Sequence, residues 1–153
     1  MKSVIDEIGL DASDNSMLDY INKLLNKESF DRSGLICSFG HAVYTLSDPR
    51  CEILKTEVSS LSKEKDRLDE YNFYKRFEKN VKEYFVKYKN RQICANVDYY
   101  SGFVYDILGI PENLFTPLFV QSHSVGWLAH NIEHKLYCDR IIRPAGEFIK
   151  EDK

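Results

Sequence analysis

The stretch Tyr71-Asn72-Phe73-Tyr74-Lys75-Arg76-Phe77-Glu78-Lys79-Asn80-Val81-Lys82-Glu83-Tyr84-Phe85-Val86-Lys87-Tyr88 decides the fold. Within it Tyr74, Phe77, Val81, Tyr84, Phe85 and Tyr88 recur at helical period, so they share one face of an α-helix. An aromatic face of that kind is a core face. No segment of any length alternates apolar and polar residues as a half-buried strand does, and the class read from the chain is all-α.

Working outward from this helix, the charged run Ser62 to Glu70 reads as a solvated turn. Before it, Asp48-Pro49 is a helix start, because aspartate caps free N–H groups and proline suits the first helical position. A helix from Pro49 to about Lys65 fits Ile53, Leu54, Val58 and Leu61. Ser16-Met17-Leu18-Asp19 resembles a capping box, and Met17, Leu18, Ile21, Leu24 and Leu25 predict a short amphipathic helix to about Lys27. Asp31-Arg32-Ser33-Gly34 is a polar break, after which the chain to Phe39-Gly40-His41 reads as a structured loop. On the other side, Lys89 to Asn96 interrupts the pattern and a helix over about Asp98 to Leu108 stops at Gly109. Pro111 opens a single turn, Pro117 opens a longer helix through Val125, Leu128, Ile132 and Leu136, and Asp139 to Lys153 is irregular.

The 153 residues suffice for a sizeable core, and 43% hydrophobic against 29% charged residues is ordinary globular composition. A net charge of −3 with interleaved signs gives no basic stripe for nucleic acid. Met1 to Leu10 lacks the apolar centre of a signal peptide, and no apolar run approaches the ~18 residues of a membrane span, so a cytoplasmic location is the expectation. Cys37, Cys51, Cys94 and Cys138 form no CxxC pair and are expected to be reduced, packed thiols. His123, His130, His134 and Cys138 fall roughly on one helical face, but without a His-Glu-x-x-His pattern no metal site is assigned.

Four segments carry a resemblance. They are Phe39-Gly40-His41-Ala42-Val43-Tyr44 with Asp48-Pro49-Arg50, then Asn96-Val97-Asp98-Tyr99-Tyr100-Ser101-Gly102, then Leu114-Phe115-Thr116-Pro117-Leu118-Phe119 through Gly126-Trp127-Leu128-Ala129-His130, and last Arg140-Ile141-Ile142-Arg143-Pro144. In wording and order they resemble the citrate synthase family from about Gly34 onward. The resemblance implies an all-helical fold of two domains whose cleft closes on oxaloacetate and acetyl-CoA. Residues 1–110 would be the small domain with a preceding helix, and 111–153 the last segment of the large one. It also implies an incomplete chain: the family's polypeptide is more than twice as long and carries its first catalytic histidine upstream of what corresponds to Met1.

By the same resemblance, each site residue has an expected role. Asp98 matches the general base that takes a methyl proton from acetyl-CoA; by bare sequence it is equally a helix N-cap. His41 matches the donor to the oxaloacetate carbonyl, where charge develops on oxygen, and is otherwise a loop histidine. Arg50 matches a ligand for an oxaloacetate carboxylate in the first turn of a helix, and is otherwise a surface arginine. Arg143 matches the arginine that reaches the partner subunit's site, which implies a homodimer. The acyl-CoA loop maps to Leu35, Ser38, Phe39 and Gly40, with Lys87, Lys89 and Arg91 as phosphate partners. Acetyl-CoA or propionyl-CoA is then a substrate, and no permanently bound cofactor is expected.

Two departures bear on activity. His123 stands where the family has an arginine clamping oxaloacetate, replacing a permanent forked donor by a group with at most one donor in that direction. Ser38 stands where the family commonly has glycine, so the CoA loop is altered. With the upstream half absent, the chain reads as one part of a split enzyme, an inactive remnant, or a truncated enzyme. A different class remains open: a non-catalytic helical partner that docks on a full-length synthase through the face of Leu118 to Leu136.

Overall fold

The computed structural model of the chain describes residues 1–29 and 31–137. Six α-helices follow in order among these residues: α1 (Lys2–Ile8), α2 (Asp14–Leu25), α3 (Pro49–Glu64), α4 (Leu68–Lys89), α5 (Val97–Ile107) and α6 (Phe115–Tyr137), with a 3₁₀ turn at Glu112–Leu114. Two compact units divide the chain, one running Met1–Glu112 and one beginning at Asn113. The all-α reading holds: among the described residues the only β feature is a single antiparallel bridge between Phe39 and Ala95.

The first unit is built around α4, against which α2 and α3 pack, with α5 on α3 and α1 on α2. Met17, Tyr20 and Ile21 of α2, Val58 of α3, Phe73, Phe77 and Val81 of α4, and Tyr100 and Phe103 of α5 are essentially solvent-free. Each such side chain contributes ~1.5–3 kcal/mol. The aromatic face continues across helices, with the Tyr74 and Phe103 rings stacked at 4.5 Å and the Tyr74 ring tilted against Tyr99 at 5.3 Å. The expected stripe is buried at Tyr74, Phe77, Val81 and Tyr84, but Tyr88 is 56% exposed. The hydrogen bond from Tyr84 to Asn22 of α2 falls one turn short of it, so the last turn of α4 runs beyond that partner. On α3, Ile53 is likewise exposed, and Cys51 and Val58 face the core instead.

Helix starts followed local chemistry where a cap had no competitor. Asp48 Oδ1 accepts the Arg50 N–H at 3.0 Å with Pro49 at the first position of α3. For α2 the cap is Ser13, whose Oγ accepts the Ser16 N–H at 3.2 Å, rather than Ser16 itself. Asp14 in the added turn accepts from Arg76 and Asn80 of α4, both at 3.2 Å, so a tertiary contact favours the longer helix. The Ser62 to Glu70 run is also largely helical: only Lys65 to Arg67 interrupt it. Ser62 is buried and donates to the Val58 carbonyl, while Arg67 pairs with Glu70 and reaches Asp106 of α5 at 2.7 Å.

A buried carboxylate ties three helices together. Glu78 of α4 accepts from Lys55 Nζ of α3 at 2.8 Å, Lys82 Nζ at 2.5 Å and the Tyr100 hydroxyl of α5 at 2.8 Å. Burial works to raise its pKa, yet the two ammonium groups and the hydroxyl outweigh that and hold it below the usual glutamate value. Every buried side-chain nitrogen and oxygen among the described residues has a hydrogen-bond partner.

Of the thiols, Cys51 and Cys94 are buried, and burial pushes Cys51 up to about 12. Cys37 is exposed rather than packed, because it sits on a loop tied through Asp31 and Ser33 instead of on a helix face. Cys138 lies outside the described residues. In the second unit α6 buries no residue, and Val125, Trp127, Leu128, Ile132 and Leu136 are exposed along it. No described helix is long and apolar enough to cross a membrane.

Candidate active site

Two segments far apart in sequence meet at the start of α5. Gly40 N donates to the Cys94 carbonyl at 2.9 Å and Asn96 N donates to the Ser38 carbonyl at 2.9 Å, so Ser38 to Gly40 lie antiparallel to Cys94 to Asn96. To make this turn the backbone is left-handed at Ser38 (φ 66°) and at Gly40 (φ 92°). Gly40 suits that conformation and Ser38 does not, which gives a backbone reason for glycine at the first position. Phe39 sits edge-on to Tyr99 at 5.0 Å and anchors the loop on the core.

The loop delivers His41. Its Nδ1 accepts the backbone N–H groups of Val43 at 3.0 Å and Tyr44 at 3.1 Å. In the neutral ring Nδ1 is therefore the acceptor, and the proton is on Nε2. That Nε2–H is 3.4 Å from Nη2 of Arg50. Both groups are donors, so neither satisfies the other, and both are available to one electron-rich oxygen placed between them.

Arg50 is held from behind. Its Nε donates to Asp48 Oδ1 at 3.0 Å and its Nη2 to Asp48 Oδ2 at 2.8 Å, a forked pair with a carboxylate whose side chain is fully buried. The guanidinium holds the Asp48 carboxyl below the usual aspartate value against the effect of burial. Asp48 in turn raises Arg50, and Asp98 is among the further charges that do so. Tyr44 backs both groups, with its ring 4.7 Å from that of His41 and 5.9 Å from the guanidinium carbon. The Tyr44 carbonyl accepts from the buried Cys94 thiol at 3.3 Å.

Asp98 lies exposed in the first turn of α5. It is not the cap: Asn96 is, with Oδ1 accepting the Asp98 N–H at 3.1 Å. The Asp98 carboxylate is thus relieved of the capping duty that the sequence left open. Asn96 Nδ2 also donates to the Gly40 carbonyl at 3.2 Å, joining the His41 segment to the Asp98 segment. His41, Arg50 and Asp98 are therefore brought into one region of the first unit.

The remaining candidates are less concentrated. Leu35 is 67% exposed on the loop, and Lys87, Lys89 and Arg91 are exposed at the end of α4. Lys87 Nζ lies 4.9 Å over the Tyr88 ring, and Arg91 N donates to the Phe85 carbonyl at 3.2 Å. His123 belongs to the second unit and folds back on its own helix, its Nδ1 donating to the Phe119 carbonyl at 2.9 Å and its ring stacked on Phe119 at 4.1 Å. The neutral ring then offers Nε2 as an acceptor, the opposite of what a carboxylate needs. Arg143 lies outside the described residues. No group of three or more His, Cys, Asp or Glu suited to a metal occurs among the described residues.

Sequence reasoning missed three contributors. Asp48 read only as a cap, although the Asp-Pro-Arg spacing was itself the signal for a carboxylate beside the guanidinium. Asn96 carried a local signal as a cap, but its hold on the Gly40 carbonyl and the bond between Tyr44 and Cys94 depend on segments that only folding brings near.

These features define an all-helical domain with a paired-donor site beside a helix-borne carboxylate. Comparison with known proteins makes the assignment particular. The family model for the C-terminal domain of citrate synthase matches residues 2–145, and the chain belongs to the citrate synthase family. It is 38% identical over 148 residues to a citrate synthase of Synechocystis sp., which covers 96% of this chain and 34% of that protein. It is 33% identical over 119 residues to a 2-methylcitrate synthase of Shewanella oneidensis, covering 78% of this chain and 30% of that protein. The crystal structure of citrate synthase from Thermotoga maritima superposes with a TM-score of 0.64 at 32% identity, covering 97% of this chain and 37% of that one. The chain spans about a third of the length of these relatives.

Proposed function

We propose that this chain supplies the oxaloacetate- and acyl-CoA-handling part of a citrate synthase-type acyltransferase, active when joined by the segment its relatives carry beyond the matched third. Asp98 removes a proton from the carbon next to the thioester, the methyl of acetyl-CoA or the methylene of propionyl-CoA. The resulting enol or enolate adds to the ketone of oxaloacetate, whose oxygen gains negative charge as the carbon–carbon bond forms. The His41 Nε2–H and the Arg50 guanidinium receive that oxygen and a neighbouring carboxylate, and water then cleaves the citryl thioester to release CoA. Leu35, Ser38, Phe39 and Gly40 would line the acyl-CoA loop, with Lys89 and Arg91 toward its phosphates. Acyl-CoA is consumed as a substrate, and no resident cofactor is invoked.

The observation that carries this reading is the tautomer of His41. Two backbone N–H groups on Nδ1 leave Nε2–H as a fixed donor beside a guanidinium, the arrangement an oxyanion requires. A positioned base contributes ~10²–10⁴-fold, but only where it is kept from bulk water. Asp98 is exposed and the Arg50 side chain is 47% exposed. A covering segment is therefore part of the proposal, supplied by an upstream half within a cytoplasmic homodimer to which Arg143 contributes.

The test is reconstitution. The chain is mixed with the N-terminal part of the Synechocystis relative, and thiol release is followed with oxaloacetate plus acetyl-CoA or propionyl-CoA. Release that vanishes in Asp98→Ala is expected; turnover unchanged in that variant excludes Asp98 as the base. A stable complex of the two halves that releases no CoA refutes catalysis. That outcome favours the second reading, a non-catalytic helical partner, for which the exposed apolar residues of α6 are the supporting observation.

A further inference from the structure

We propose that Asn96 is a positioning residue that latches the His41 loop to the helix bearing Asp98, an inference that rests on reading those two groups as the reacting pair. The segments it joins are 56 residues apart in sequence. Backbone pairing between them is one isolated bridge with two flanking hydrogen bonds, and so short a ladder is weak by itself. Beyond that bridge the chains part, one toward the turn of His41 and the other into α5. The Asn96 side chain closes the gap, with Nδ2 donating to the Gly40 carbonyl at 3.2 Å and Oδ1 accepting the Asp98 N–H at 3.1 Å.

Both partners are backbone groups of fixed sense, a carbonyl that only accepts and an amide that only donates. The orientation of the carboxamide is therefore forced, and only a side chain with one donor and one acceptor on a short arm satisfies both. Aspartate would cap α5 equally well, but its second oxygen would face the Gly40 carbonyl, acceptor against acceptor. Serine caps with its single oxygen and leaves Gly40 unheld. The Gly40 carbonyl belongs to the peptide plane that leads into His41, at a residue with φ 92°. Because the His41 ring is fastened to Val43 and Tyr44 of its own turn, a shift of that plane carries Nε2 with it. Asn96 thereby sets the distance between the donor and the base without touching substrate.

A helix cap alone would make a different forecast, which separates the two. Amide hydrogen exchange is measured by NMR on the chain itself for the wild type, Asn96→Asp and Asn96→Ser. The latch predicts exchange about tenfold faster at Val43 and Tyr44 in both variants, with Tyr100 to Ile107 protected as before because Asp and Ser still cap. Exchange at Val43 and Tyr44 within about twofold of wild type in both variants would reduce Asn96 to a cap and overturn the proposal. In the reconstituted complex, Asn96→Ser is expected to lower kcat by about ten- to a hundredfold while KM for each substrate stays within about twofold. An unchanged kcat overturns the positioning role. A wild-type complex without turnover would instead count against the proposed reaction, and the exchange pattern would still decide the latch.

Discussion

Replacing Glu78 by glutamine removes the charge at the junction of α3, α4 and α5 while keeping the shape. The Tyr100 hydroxyl can still donate to the amide oxygen, so the loss falls on Lys55 and Lys82, whose side chains are 24% and 34% exposed. Breaking a fully buried ion pair costs ~3–5 kcal/mol, and the partial hydration open to both lysines puts the expected loss near the lower end, about 3 kcal/mol. With an unfolding entropy of ~2.1 cal/mol/K per residue over a unit of 112 residues, that is about 13 °C in Tm. Circular dichroism melts at neutral pH measure it directly. The difference should also shrink in acid. Glu78 is held below the usual value of 4.5, so its contribution is complete above that pH and is lost as pH falls through the lower folded-state value. A Tm within about 3 °C of wild type at neutral pH, or a gap that persists once the carboxylate is protonated, would refute the assignment of this cluster as a stabilising clasp.

Other consequences can be measured independently. Ser38→Gly should relieve the left-handed backbone and stabilise the chain by up to about 1 kcal/mol, read as a higher urea midpoint at unchanged slope; no gain would mean that the added freedom of the unfolded chain cancels the relief. Arg50→Lys keeps the charge but loses the fork to Asp48, and calorimetry on the reconstituted complex should find oxaloacetate bound about ten- to a hundredfold more weakly, with equal affinity removing Arg50 from the site. His123→Arg replaces a ring that is turned onto its own helix by a permanent donor. Oxaloacetate binding should tighten by about one to two powers of ten, and no gain would show that this position does not face the substrate.

Much of this protein was legible from residue order alone. The period of Tyr74, Phe77, Val81 and Tyr84 specified α4 and its buried face, because helical geometry is local and a repeating apolar face has one way to be satisfied. Asp48-Pro49 specified the start of α3 for the same reason: a cap and a fixed φ act within one turn. The motifs around His41, Arg50 and Asp98 indicated the family, and the family model agrees. Tertiary structure decided what depends on distant partners. Asp14 prolongs α2 because α4 brings Arg76 and Asn80 to it. The charges of Arg67 and Glu70, which look solvent-directed in sequence, form a clasp once Asp106 of α5 is near. The cap of α5 and the proton position of His41 are set within a single turn, by the Asp98 N–H on Asn96 and by the Val43 and Tyr44 N–H groups on Nδ1, but the meeting of those two segments is tertiary. Local periodicity and capping are short-range properties of the chain, whereas a hydrogen bond between Asn96 and Gly40 exists only after loop closure has joined them, and no local pattern encodes it.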